Sequence, residues 1–202
     1  MQNVVRIPVT VKCRIGIDHQ DSYEALVQFV DTVANAGCKT FIVHARKAWL
    51  SGLSPKQNRE IPPLRYEVVY QLKKDFPDLN IVINGGITTL EQAKSMLEQV
   101  DGVMVGREAY YNPYLLAQVD SELYGSTEPI ISREQVVQGL LPYIEAQLKL
   151  PNQRVHNVTR HILGLFHGEQ GAKLWRRHLS ENATKVGMDE TLLLQALKFT
   201  QQ

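Results

Sequence analysis

Only two of the 202 residues are cysteines, Cys13 and Cys38, and they form no CxxC pair. This spacing points to neither a disulfide framework nor a zinc site, and it fits a reducing cytoplasm. No apolar run approaches the ~18 residues that a bilayer span requires, and no signal-like segment stands before the first apolar strand. No stretch is of low complexity. Charge bias is also missing: 22 Lys and Arg stand against 21 Asp and Glu. The global charge therefore excludes no partner class, and only local patterning is informative.

Against these absences stand two glycine signatures, Asn84-Gly85-Gly86-Ile87 and Gly102-Val103-Met104-Val105-Gly106-Arg107. Each closes an apolar run that reads as a buried strand, and each is followed by a helix-like segment. Glycine lets backbone N–H groups approach phosphate oxygens, and helix N-termini add partial positive charge. In (β/α)8 barrels the usual phosphate site follows strands seven and eight.

The chain reads as four strand-then-helix units followed by helices alone. The first strand is Pro8–Arg14, and its helix follows Asp21, which with Glu24 resembles a capping box. Gly37 stops that helix. The second strand, Thr40–His44, leads into a long loop from Ala45 to Pro63 and a helix near Arg65–Phe76. The third strand ends at Asn84, with a helix over about Leu90–Gln99. The fourth ends at Gly106, with a helix through Tyr114–Leu123. A break at Tyr124–Pro129 precedes a helix capped by Ser132 with Gln135, then helices near Val155–Phe166, Ala172–Glu181 and Glu190–Phe199. Residues 1–125 therefore form an α/β unit and 126–202 an all-α one. Four parallel strands cannot close a barrel, so the choice lies between an open sheet and part of a barrel.

The run from His44 to Leu64, HARKAWLSGLSPKQNREIPPL, resembles the long loop of A-type tRNA-dihydrouridine synthases. Lys12-Cys13-Arg14-Ile15-Gly16 is similar to that family's KxRxG strand. Asn84-Gly85-Gly86-Ile87 and Val105-Gly106-Arg107 resemble its last two barrel strands, and Leu174–Asn182 its C-terminal helical domain. The resemblance runs from about Ile7 to about Phe199, in order. It implies the C-terminal half of a (β/α)8 TIM barrel, strands five to eight, followed by an all-α tRNA-binding domain. Met1–Val5 would be the end of the helix leading into strand five, and Met1 an internal methionine of a longer protein.

The resemblance also implies chemistry. FMN, reduced by NADPH, delivers hydride to C6 of a D-loop uridine, and a cysteine acid protonates C5 to give 5,6-dihydrouridine. Lys12 and His44 would touch the flavin ring. Asn84, Gly85, Gly86, Gly106 and Arg107 would hold the ribityl phosphate, with Arg107 and backbone N–H groups offsetting its charge. Taken alone, Lys12 reads as a strand-end lysine reaching solvent, His44 as a core histidine, and Asn84-Gly85-Gly86 as a tight turn. The family's catalytic cysteine lies in a Gly-Cys-Pro-like segment without a counterpart here, and neither Cys13 nor Cys38 matches it. No catalytic residue is therefore assigned, and these 202 residues are expected to be inactive alone.

For RNA, residues 151–185 place Arg154, Arg160, Lys173, Arg176, Arg177 and Lys185 against Glu169 and Glu181, with four of the six histidines. The loop adds Arg46, Lys47, Lys56 and Arg59. By resemblance the tRNA contacts are Lys56, Arg59, Lys173 and Arg176, with Arg46 and Lys47 beside them. No aromatic-interleaved stacking surface is evident, which favours recognition by shape and backbone. Trp49 reads as packing under its own loop. The alternatives are a non-enzymatic tRNA-binding remnant and another FMN-dependent barrel oxidoreductase. No metal and no membrane partner is expected.

Overall fold

The computed structural model describes residues 4–201, and of the Met1–Val5 segment expected to end a helix, Met1–Asn3 lie outside that range. The chain divides into two compact units, Met1–Gly106 and Arg107–Gln202, each with its own apolar core.

The first unit holds four parallel strands: β1 (Val11–Arg14), β2 (Thr40–His44), β3 (Asn80–Asn84) and β4 (Gly102–Met104). Their spatial order is their chain order. Between them lie α1 (Tyr23–Asn35), α2 (Tyr66–Asp75) and α3 (Leu90–Leu97). Strand alternation separates two faces. Phe41, Val43, Ile81 and Ile83 are fully buried and join the core with Val69 and Leu72 of α2 and Leu26 and Val30 of α1. Lys12, Ile42, His44, Val82 and Asn84 alternate with them and lie on the opposite face, which is less buried. Pairing aligns Arg14 with His44, His44 with Asn84, and Asn84 with Met104, so the strand ends share one level.

Local chemistry explains the helix ends. The cap of α1 is Ser22, whose hydroxyl accepts from the Ala25 N–H at 3.2 Å. The expected cap, Asp21, instead pairs with Lys47 at 2.9 Å, because a loop ammonium is the stronger partner. Thr89 caps α3 by accepting from the Gln92 N–H, while the Gln92 side chain accepts from the Thr88 N–H at 3.1 Å.

The second unit is helical among its described residues. The helix expected through Tyr114–Leu123 is instead three pieces: α4 (Arg107–Tyr111), a 3-10 turn (Pro113–Gln118) and α5 (Val119–Tyr124). Pro113 lacks the N–H that would continue α4 and starts the 3-10 turn instead. Then come α6 (Arg133–Leu148), α7 (His156–Thr159), α8 (Ala172–Asn182) and α9 (Thr191–Leu197). Ser132 and Gln135 form the expected reciprocal cap of α6. The stretch expected as helix from Val155 to Phe166 keeps one short helix, and the rest is turn. Trp175 and Leu179 of α8 meet Leu192 and Leu193 of α9 and Val137 and Ile144 of α6 in the core.

Candidate functional site

Three of the residues singled out from sequence meet at the ends of the strands. Lys12 Nζ donates to Asn84 Oδ1 at 3.1 Å, spanning from β1 to β3. The Asn84 amide in turn donates to the Met104 carbonyl at 2.8 Å, so one side chain ties three strands. Desolvation lowers the Lys12 pKa, Cys13 beside it works the other way, and Arg14 adds to the lowering. His44 ends β2 at the level of Asn84 and lies against Gly85, where an added Cβ would come within 2.8 Å of its Cδ2.

The glycine turn has a defined backbone need. Gly85 and Gly86 have φ of +126° and +66°, conformations costly for a side chain. A Cβ on Gly86 would also stand 2.6 Å from Leu64 Cδ1. Tyr66 secures the turn by donating its hydroxyl proton to the Gly85 carbonyl at 2.7 Å. Gly106, the counterpart after β4, is exposed, and a Cβ there would meet only Asn84, at 3.9 Å. The Gly85-Gly86 turn is thus packed closely under His44 and Leu64, whereas Gly106 leaves room for close approach of a ligand to the backbone. Arg107 follows Gly106 directly and opens α4.

The long loop is built more firmly than its composition suggests. The Arg14 guanidinium donates to the Lys47 and Asn58 carbonyls at 2.8 and 2.9 Å. Asn58 clasps the Trp49 backbone at both N–H and carbonyl, at 2.8 and 2.6 Å. Lys47 Nζ lies 4.2 Å from the Trp49 ring centroid, and His19 meets that ring edge-on at 5.5 Å. Trp49 therefore packs with its own loop. Arg46 donates to the Glu60 and Pro62 carbonyls. Of the four loop cations Arg46 and Lys47 turn inward, whereas Lys56 and Arg59 are exposed. Desolvation lowers the Arg14 pKa, and the charges of Arg46 and Arg59 lower it further, so these guanidinium groups sense one another.

Arg14, Asn58 and Tyr66 carry site architecture that the sequence reading did not assign. Arg14 had a signal, since it follows Lys12 by two residues and so shares its face. Asn58 and Tyr66 had none, because their partners are distant or reached only through the fold.

In the second unit Lys173 and Arg176 are exposed on α8, three residues apart. Cys38 is buried and Cys13 packs on the core side of β1, where burial pushes its thiol up to about 11. Among the described residues no three His, Cys, Asp or Glu side chains cluster as metal ligands. Among them, too, no helix is long and apolar enough to cross a membrane.

The first unit is thus a parallel α/β sheet whose strand ends carry a lysine, a histidine and a glycine turn. Residues 1–201 match the dihydrouridine synthase (Dus) model, and the chain belongs to that family. It is similar to the tRNA-dihydrouridine(20/20a) synthase of Shewanella oneidensis, 65% identical over 187 residues, which covers 93% of this chain and 56% of that protein. The protein of the same description from Escherichia coli K12 is 60% identical over 199 residues, covering 98% of this chain and 57% of its own length. That of Vibrio cholerae is 58% identical over 198 residues, covering 98% and 60%. The chain thus spans 56% to 60% of the length of these relatives.

Proposed function

We propose that this chain carries the flavin-phosphate and tRNA-docking parts of a tRNA-dihydrouridine synthase, with its sheet the last four strands of a (β/α)8 barrel and its second unit the tRNA-binding helical domain. The carrying observation is the Lys12–Asn84 hydrogen bond at 3.1 Å, at the level of His44 and beside the positive-φ Gly85-Gly86 turn. Such a turn presents backbone N–H groups to an anion, and the open space over Gly106 fits a phosphate. FMN, re-reduced by NADPH, would supply the hydride that converts a tRNA uridine to dihydrouridine.

The chain's own residues bind and orient. Lys12 and His44 face the flavin ring, and the lysine ammonium stabilises negative charge there. Asn84 holds Lys12 in place while Gly85, Gly86, Gly106 and Arg107 take the phosphate. Exposed Lys56 and Arg59 meet tRNA phosphates on the loop, with Arg46 and Lys47 shaping it from inside. Lys173 and Arg176 do the same on α8. Neither cysteine stands on the face that carries Lys12 and His44, which supports the reading that the acid for the uridine comes from outside these residues. The cytoplasm is the compartment in which such a protein meets tRNA.

The test is equilibrium binding by the purified chain. FMN should bind weakly, and Lys12→Met and Gly86→Ala should each weaken it further. Transfer RNA should bind with an affinity that falls steeply with salt and drops again in Lys173→Ala/Arg176→Ala. No dihydrouridine should form. FMN binding indifferent to both substitutions would overturn the flavin assignment, and salt-independent tRNA binding the RNA one.

A further inference from the structure

The function above accounts for Lys173 and Arg176 as phosphate contacts, but not for the side chains gathered next to Arg176. A cavity of about 300 Å³ opens there within the helical unit. Its walls include Tyr110 and Tyr111 from α4 and Leu163 from the turns after α7. Its cations are Arg160 and Arg176. The sequence disperses these aromatic and basic groups over more than sixty positions, from 110 to 176. Gly164 lets them converge, since a Cβ there would collide with the Tyr111 carbonyl oxygen. The two chain segments therefore touch backbone to backbone.

The aromatic groups form a bent platform. Tyr110 meets Tyr111 edge-on at 5.7 Å and His161 edge-on at 5.8 Å. A polar chain runs behind it. Arg160 Nε donates to His161 Nε2 at 2.9 Å, which places the proton of the neutral ring on Nδ1. That nitrogen lies 3.0 Å from the Tyr110 hydroxyl and donates to it. The Tyr110 hydroxyl proton is then available to an acceptor outside the three. Tyr110 and Tyr111 are exposed, at 50% and 62%.

We propose that this cavity takes an unstacked nucleotide of the bound RNA, its base against the tyrosines and its phosphate against Arg160 and Arg176. The apolar walls and aromatic faces suit a base, since stacking on a side chain is open to every base. Two guanidinium groups match a phosphate, for which their planar forks are shaped. The hydroxyl of Tyr110 reaches an acceptor on the base edge. The inference rests on the tRNA-binding reading and adds to it a base-stacking subsite in the helical unit.

The experiment measures binding of uridine and adenosine 5′-monophosphates, inorganic phosphate and tRNA to the intact chain, by calorimetry and by the imidazole resonances of His161 and of His167, which also lines the cavity. Both mononucleotides should bind more tightly than phosphate and be displaced by tRNA. Tyr110→Ala should weaken the mononucleotides about tenfold and phosphate hardly at all. Tyr110→Phe, which keeps the ring, should retain most of the affinity and guards against a folding defect in the alanine variant. Arg176→Ala should weaken mononucleotides and phosphate alike. Mononucleotides that bind no better than phosphate, or that ignore Tyr110→Ala, overturn the subsite. In that case tRNA binding that still depends on salt and Lys173 leaves the broader reading standing. Mononucleotide binding with no tRNA binding upholds the cavity as a nucleotide site and overturns its RNA source.

Discussion

Single residues in this chain do work that their neighbours in sequence do not reveal. Asp101 precedes β4, accepts from the Ile81 N–H at 2.9 Å and pairs with Lys73 of α2 at 2.8 Å. Burial alone would raise its pKa, but the bonds from Lys73 and Ile81 prevail and hold it below the ordinary aspartate value. A folded-state pKa that is depressed gives stability present above the unfolded value of ~3.9 and lost as pH falls through the folded one. Asp101→Asn should therefore cost about 1–2 kcal/mol at neutral pH and flatten the acid limb of stability, as read by urea melts at pH 7 and pH 3. Gly86→Ala is the second prediction at this scale. Its φ of +66° and the 2.6 Å approach of Leu64 should lower stability by about 1–3 kcal/mol, measured by thermal unfolding. Glycine pairs of this kind are legible in sequence as turns. The crowding by Leu64 is not, because that side chain stands 22 residues earlier in the chain.

Secondary elements were legible where their signals were local. β2 and the end of β3 stand where the apolar runs place them, and the Ser132 cap follows from a side chain reaching three residues along its own backbone. Ser132→Ala should destabilise the helical unit by about 1 kcal/mol, seen as earlier amide exchange in the first turn of α6. Local signals misled where a distant partner competed. Asp21 has the cap residue's chemistry, but Lys47 claims it and Ser22 caps instead. The stretch after Val155 has helical spacing, yet Gly164 must press against the Tyr111 backbone and turns replace the helix. The loop after β2 depends on Asn58 in the same way. Asn58→Ala should remove both bonds to Trp49 and raise the rate of limited proteolysis between residues 46 and 62 several-fold, with little change in the melting of the sheet.

The whole molecule has two apolar cores, one around Phe41, Ile81 and Ile83 and one around Trp175, Leu179 and Leu193. Trp175 is fully buried, donates its indole N–H to the Ile162 carbonyl at 3.3 Å and meets Phe166 at 4.7 Å. Trp175→Ala should cost the helical core about 3–5 kcal/mol. Hydrogen exchange should then accelerate in α8 and α9 while β2 and β3 stay protected, because the two cores share no buried residue.

What the sequence determined by itself was the family, the parallel strands with their glycine turns, and the basic stretch at 151–185. All of these rest on short-range patterns: alternation, capping, and ordered motifs. The tertiary structure decided which of those residues meet. It joined Lys12 to Asn84 across 72 positions, turned Arg46 and Lys47 inward, and left Lys56 and Arg59 exposed. It also assembled an aromatic and cationic cavity from Tyr110, Tyr111, His161 and Arg176, where the linear sequence showed no stacking surface. The physical reason is common to all of these. Side-chain contacts at long separation are set by packing and register, and periodicity along the chain carries no record of them.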